Sequence, residues 1–371
     1  MPYHLLLHFN PDAAAGKLAP KTLADGSVDH RDLGFIQNVV VDQVLAELVP
    51  VSEAEAATLD PRFVLAKAAF PLGPNCKVDP ATPTQLLSEV NGCAAFEDGV
   101  ITVHKVLHVR RDVGAHTGNL LFVGDMVVHG AVRSGFHIRA RNLLVKGVVG
   151  GARLETQESI VAEAGVKGGE KAVLRAGRSV KAAFCENARV LAGESMLVEG
   201  SCMHCDIYVG KQLVVRGRLA GGTLSCHRMV YVGGQLGGGA GTPTVITLGH
   251  DPFLLRESEK INETIEELEG SIEEYSAQTN LGEAHREAMA PKTAQAQKKI
   301  QALQRKLVTL QERIEATKDL SNCVLAVTGE VRPGVVVHIG DTMFEVNDYL
   351  NDVRFSLSGE QIVVTSPAMR K

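Results

Sequence analysis

Cysteine and histidine are the residues here whose types and spacing could do chemistry most directly. Cys202-Met-His-Cys205 is a C-x-x-C with a histidine inside it, and Cys226-His227 follows shortly after. Four ligands drawn from Cys202, His204, Cys205, Cys226 and His227 would match the tetrahedral N/S preference of zinc. Register speaks against it. The surrounding sequence repeats about every 17 residues, and one repeat beyond Cys205 stands Gly222, not Cys226. The cysteines are therefore read as small buried turn residues, and no metal or other cofactor is assigned.

Other constellations fare no better. The glycine-rich run at 233–241 lacks the Lys-Ser/Thr and the following helix of a phosphate-binding loop, so its glycines are read as turn formers. His104, His108, His116, His129 and His137 crowd the first repeats, yet no carboxylate recurs in phase with them. A polysaccharide lyase or hydrolase would need paired carboxylates or a carboxylate-bound metal beside Arg/Lys, usually with aromatic platforms. The chain has no Trp and only 4% aromatic residues. No nucleophile–base pair stands out, so no catalytic residue is assigned and the chain is read as not an enzyme.

The elements that carry these residues are better defined. Met126-Val-Val-His-Gly, Leu143-Leu-Val-Lys-Gly, Met196-Leu-Val-Glu-Gly, Leu213-Val-Val-Arg-Gly and Val230-Tyr-Val-Gly-Gly are versions of one pentapeptide, with Ile160 and Val180 in the same phase. Positions one and three are apolar, which is the alternation of a strand with one buried face. Glycine at position five suits a sharp bend where a Cβ would obstruct. Such a unit cannot bury its apolar face alone, so copies must stack and share one core. A 16–20-residue period is too short for a helical repeat and too regular for a β-sandwich; it suits rungs of three short strands. Residues 101–250 are therefore expected to form a parallel β-helix, right-handed because the period drifts, with Val128, Val145, Val198, Val215 and Val232 in one inward ladder.

Beyond Pro252 the composition changes. Ile261, Ile265, Leu268, Ile272 and Tyr275 form one a/d seam, and Ile300, Leu303, Leu307, Leu310 and Ile314 another. The first arm is rich in Glu and the second in Lys and Arg, so residues 253–320 are expected to fold back as an antiparallel coiled-coil hairpin. Thr279–Gly282 and Pro291 interrupt the heptads, and residues 281–291 read as a long tip loop. Residues 321–371 return to strand-then-Gly grammar as a β segment capping or extending the β-helix. Residues 1–100 read as a small α+β region, with short helices over 42–49 and 83–92, a hairpin turn at Glu97-Asp-Gly99 and entry into the rungs at Val100.

Totals bound the function. Thirty-eight Lys+Arg against 43 Asp+Glu leave a net charge of −5, which gives nucleic acid no basic surface. No segment is apolar for the ~18 residues of a membrane span, the N-terminus lacks a secretory n-region, and seven Cys without framework spacing suit a reducing compartment. The expected location is the cytoplasm.

Several segments resemble one family. Gly118-Asn-Leu-Leu-Phe-Val-Gly-Asp-Met-Val-Val-His-Gly-Ala-Val132, Leu143-Leu-Val-Lys-Gly-Val-Val-Gly-Gly-Ala152, Leu219-Ala-Gly-Gly-Thr223, Gly241-Thr-Pro-Thr-Val-Ile-Thr-Leu-Gly249 and Gly329-Glu-Val-Arg-Pro-Gly-Val-Val-Val-His-Ile-Gly340 are similar, in order and spacing, to the FapA (flagellar assembly protein A) family, over about residues 95 to 345. The resemblance implies a right-handed β-helix like that of the septum-site inhibitor MinC, no enzymatic activity, and a link to flagellar assembly or polar organisation. It carries no catalytic residues over. The short N-terminal region departs from the family's longer domain with repeated Asp-Gly turns. The expectation is a non-catalytic scaffold or adaptor whose partner is a protein, such as an ATPase or polar-localisation factor, with a homodimer as its oligomeric state. A polysaccharide-active enzyme and a self-assembling cytoskeletal protein are the alternatives.

Overall fold

The computed structural model describes residues 1–12, 21–22, 28–29, 36–239, 241–278, 283–368; side chains are not described for 21–22, 28–29, 275–278 and 283–290. The protein is mainly β, built on a parallel β-solenoid of about seven turns. It divides into two compact units, Met1–Leu191 and Ala192–Lys371.

In the first unit the pentapeptides stack as the spacing predicts. Met126 aligns with Leu143, Leu143 with Ile160 and Ile160 with Val180, all in parallel. Val128, Val145, Ala162 and Ala182 follow two places on, each at most 1% exposed. A second sheet stacks Leu120–Leu121, His137–Ala140, Arg153–Thr156 and Val166–Ala176. The third side of these rungs is narrower than the expected strand: single bridges join Val113, Val132, Val149 and Val166. The first rungs are thus two strands and a one-residue corner, whereas later strands such as Val166–Ala176 and Cys202–Val209 run through the corner.

The N-terminal region corrects the helical expectations. Val44–Pro50 is a strand, paired antiparallel with Tyr3–Leu7 and Gln85–Ser88, and Gly92–Glu97 is another. Leu, Ala and Glu favour helix intrinsically, but pairing on both edges of Val44–Pro50 buries Leu45, Ala46 and Leu48, and that overrides propensity. Among the described residues its helices are α1 (Glu53–Ala56) and a 3-10 turn, Pro61–Phe63. The turn at Asp98-Gly99 is present: Glu97 faces Val100, and both turn residues have positive φ, 51° and 79°. Val100–His104, expected to open the rungs, instead pairs antiparallel with Gly92–Glu97; parallel stacking begins at Val106.

The second unit continues the same grammar. Met196, Leu213 and Val230 align, as do Val198, Val215 and Val232, all buried. Val230 then aligns with Leu325, and Ile246 with Val337, so residues 324–339 supply a further rung. Antiparallel strands close it: Leu350–Ser358 and Gln361–Thr365 on one sheet, Thr342–Val346 on the other. The C-terminal segment both extends and caps.

The helical hairpin stands between these rungs. α2 (Pro252–Gln278) is capped by Asp251, whose Oδ1 accepts from Phe253 N at 2.8 Å, and α3 (Glu283–Ala316) returns. Leu254, Ile261, Ile265, Ile300, Leu310 and Ile314 form its seam, with Leu268, Ile272, Leu303 and Leu307 packed alongside. Tyr275 lies outside the described side chains. Helix begins again at Glu283 and runs through Pro291, so the long tip loop expected over 281–291 is not what the chain forms. A single proline forfeits one intrahelical hydrogen bond, and the basic, alanine-rich arm continues past it. Lys306 reaches Glu257 across the arms at 2.7 Å, the acidic-to-basic pairing the charges suggest.

Candidate functional site

The cysteines sit where the core needs small apolar side chains. Cys202, Cys205 and Cys226 are at most 2% exposed. Cys202 aligns with Leu219 and Cys205 with Gly222, while Cys226 aligns with Val209, four places along the strand from Cys205. At ~3.3 Å per residue that offset separates the two thiols by roughly 13 Å along the strand. His204 and His227 are not buried. Burial pushes the Cys226 thiol up to about 11, and the Cys76 and Cys323 thiols likewise. Thiols in this state are poor nucleophiles and poor ligands. Among the described residues no group of three or more His, Cys, Asp or Glu side chains is placed to hold a metal ion.

The histidines divide. His108 Nδ1 lies 3.2 Å from His129 Nε2. His104 lies 3.1 Å from Glu97, beside the Asp98-Gly99 turn. His137 lies 3.6 Å from Glu155 on the second sheet; burial pulls its pKa below the usual histidine value, and Glu155 only partly offsets this. Stacking thus joins one histidine pair rather than five.

Open grooves border the solenoid among the described residues. One of about 670 Å³ in the first unit is lined by residues including Phe96, Glu97, His104, Val106, Leu107 and His108. A second of about 650 Å³ lies around Asn119, Phe136, His137, Arg153 and Lys171. A third of about 550 Å³ in the second unit has Lys211, Arg228 and Arg354 on its walls.

The most constrained polar site is the base of the hairpin. Arg256, in the first turns of α2, is 5% exposed, and Tyr208 on the solenoid is 3% exposed. The guanidinium carbon lies 5.8 Å from the Tyr208 ring centre. Its Nη1 donates to Glu263 at 3.1 Å and reaches Glu259 at 3.4 Å. The Tyr208 hydroxyl donates to Glu259 at 2.5 Å. Burial disfavours charge on Arg256, but the hydrogen bond to Glu263 and the neighbouring Tyr208, Glu263 and Glu259 together outweigh it, and the guanidinium is held charged. Burial, then Glu259, pushes the Tyr208 phenol well up, so it stays a donor. Nearby, Asp319 N donates to Gly249 O at 3.0 Å, pinning the ends of the insertion together. Sequence reasoning counted Arg256 only as a charge on an acidic arm and passed over Tyr208. One signal was available: a lone Arg among glutamates one turn into a helix, with an aromatic in an otherwise aliphatic strand.

Comparison with known proteins supplies one match. A family model described as the Flagellar Assembly Protein A beta solenoid domain matches residues 105–362. Neither the curated proteins nor the solved structures give a match. No helix among the described residues is long and apolar enough to cross a membrane.

Proposed function

The chain belongs to the flagellar assembly protein A family, and on that premise we propose that it is a non-catalytic scaffold whose hairpin presents a surface to a protein partner. The observation that carries this reading is the junction at Tyr208, Arg256, Glu259 and Glu263. A spacer that only returned the chain to its last rung would need no buried guanidinium at its root. A fixed root makes the arm stiff, and a stiff arm offers its outer residues at lower ordering cost than a loose one. α2 alone is 27 residues long, about 40 Å at 1.5 Å per residue. Val308 on α3 is 57% exposed, an apolar residue free for contact. The partner is a protein of the flagellar or polar-organisation machinery, for instance an ATPase or polar-localisation factor, met in the cytoplasm.

The test replaces residues 256–318 by a short Gly-Ser linker and compares partners recovered from the native cell with those of the intact chain. Loss of a partner from a deletion protein that still folds is the expected result. Recovery of the same partners would move the site to the solenoid. There the outward ladder Leu197, Val214 and Tyr231 is the first surface to test.

A further inference from the structure

Strand edges at the start of the first unit's solenoid are treated unequally. The edge of Leu120–Leu121 is met by a side chain: Asn38 Nδ2 donates to Leu121 O at 2.7 Å, and Asn38 Oδ1 accepts from Val123 N at 3.1 Å. That amide mimics a neighbouring strand. The strand Val106–Val109 starts the other sheet and pairs with Asp125–Val128 on one side. Asp125 N donates to Lys105 O and His129 N to Val109 O. Parallel pairing uses alternate residues, so Lys105, Leu107 and Val109 face Asp125–Val128. The backbone N–H and C=O groups of Val106 and His108 then point the other way, and the strand ends its sheet with no second strand paired to it among the described residues. They point along the 670 Å³ groove, whose far wall is Phe96 and its neighbours.

We propose that the edge of Val106–Val109 is a β-augmentation site for an extended peptide from a protein partner, with apolar residues alternating with acidic ones. Backbone pairing supplies the register, because an uncapped edge beside a groove is a template for one more strand. Alternate side chains of the added strand fall on opposite faces. Those on the inner face meet Leu107 and Phe96, and so are apolar. Those on the outer face meet the Arg110 guanidinium beside His108, and so are carboxylates. A second copy pairing at this edge would bring its own His108 and Arg110 against the same residues, which favours an acidic peptide over a second copy of the chain.

The experiment pans a phage-displayed library of linear peptides, each about nine residues long, against the full chain and measures the enriched peptides by fluorescence anisotropy. Enrichment of proline-free sequences with alternating apolar and Asp/Glu positions is expected. Val106→Pro removes an N–H that points into the groove and none that serves the solenoid ladder, so the variant should keep its melting temperature and bind about tenfold more weakly. His108→Glu should reject the acidic peptides and accept Lys-substituted versions. No enrichment, or enriched peptides indifferent to both variants, would overturn the proposal. So would light scattering that showed a dimer abolished by Val106→Pro, since the edge would then serve a second copy. Hairpin deletion leaves this edge intact, so failure here is separable from failure of the arm's role.

Discussion

Single residues show why the repeat takes the form it does. Glycine at position five of the pentapeptide does not need positive φ; Gly147, Gly217, Gly234 and Gly329 are absent from the positive-φ glycines. What it needs is room. A Cβ on Gly217 would lie 2.6 Å from Gly200 O, and one on Gly329 would lie 1.7 Å from Gly234 O. Gly329→Ala is therefore expected to cost about 2–3 kcal/mol. Gly270, inside α2 with nothing near its missing Cβ, should gain about 0.5–1 kcal/mol on the same change. Urea midpoints of the two variants check the opposite signs. His137 tests the electrostatics. Its folded pKa lies below 6.5 because burial disfavours the imidazolium, so the unfolded chain takes up the proton first. Its contribution to stability is complete above pH 6.5 and falls as pH drops through that value towards the folded pKa. His137→Gln should narrow the difference in urea midpoint between about pH 7.5 and about pH 5.5. An unchanged difference would remove the residue from the account.

At the scale of elements, what could be read in advance divides along physical lines. The rungs and both a/d seams were legible because period and apolar phase set them locally, down to Val128 over Val145 and Val215 under Val232. The strands at Val44–Pro50 and Gln85–Ser88 were not, because only partners distant in sequence make those Leu- and Glu-bearing segments extend. The Asn38 cap and the buried Arg256 were hidden for the same reason: each depends on a contact distant in sequence, Asn38 with Leu121 at a separation of 83 and Arg256 with Tyr208. From Glu283 onward the tip is helix rather than the expected loop because α3 accommodates Pro291. The hairpin root supports its own prediction. Arg256→Met leaves Glu259 and Glu263 half-exposed and free to hydrate, so the loss should be modest, about 1–2 kcal/mol, rather than that of a fully buried pair. Limited proteolysis should cut near the base of α2 sooner in this variant while the rungs resist. Protection equal to wild type would mean the junction does not fix the arm.

At the scale of the whole molecule, closure of the last rung bears on assembly. Antiparallel strands cover the ends of both solenoid sheets in the second unit, and an edge so covered is a poor template for indefinite growth. Light scattering over a concentration series should give a finite particle, monomer or discrete dimer; filaments would favour a cytoskeletal role. The central claim is that the arm meets the partner, and one measurement reaches it most directly. A photo-crosslinking amino acid is placed at Val308 on the arm and, separately, at Glu360 in the turn between the closing strands, both exposed, and irradiated in the native cell. The account predicts a discrete crosslinked partner from Val308 and none from Glu360. Crosslinks from Glu360 alone, or none from Val308 or its exposed neighbours on α3, would contradict it.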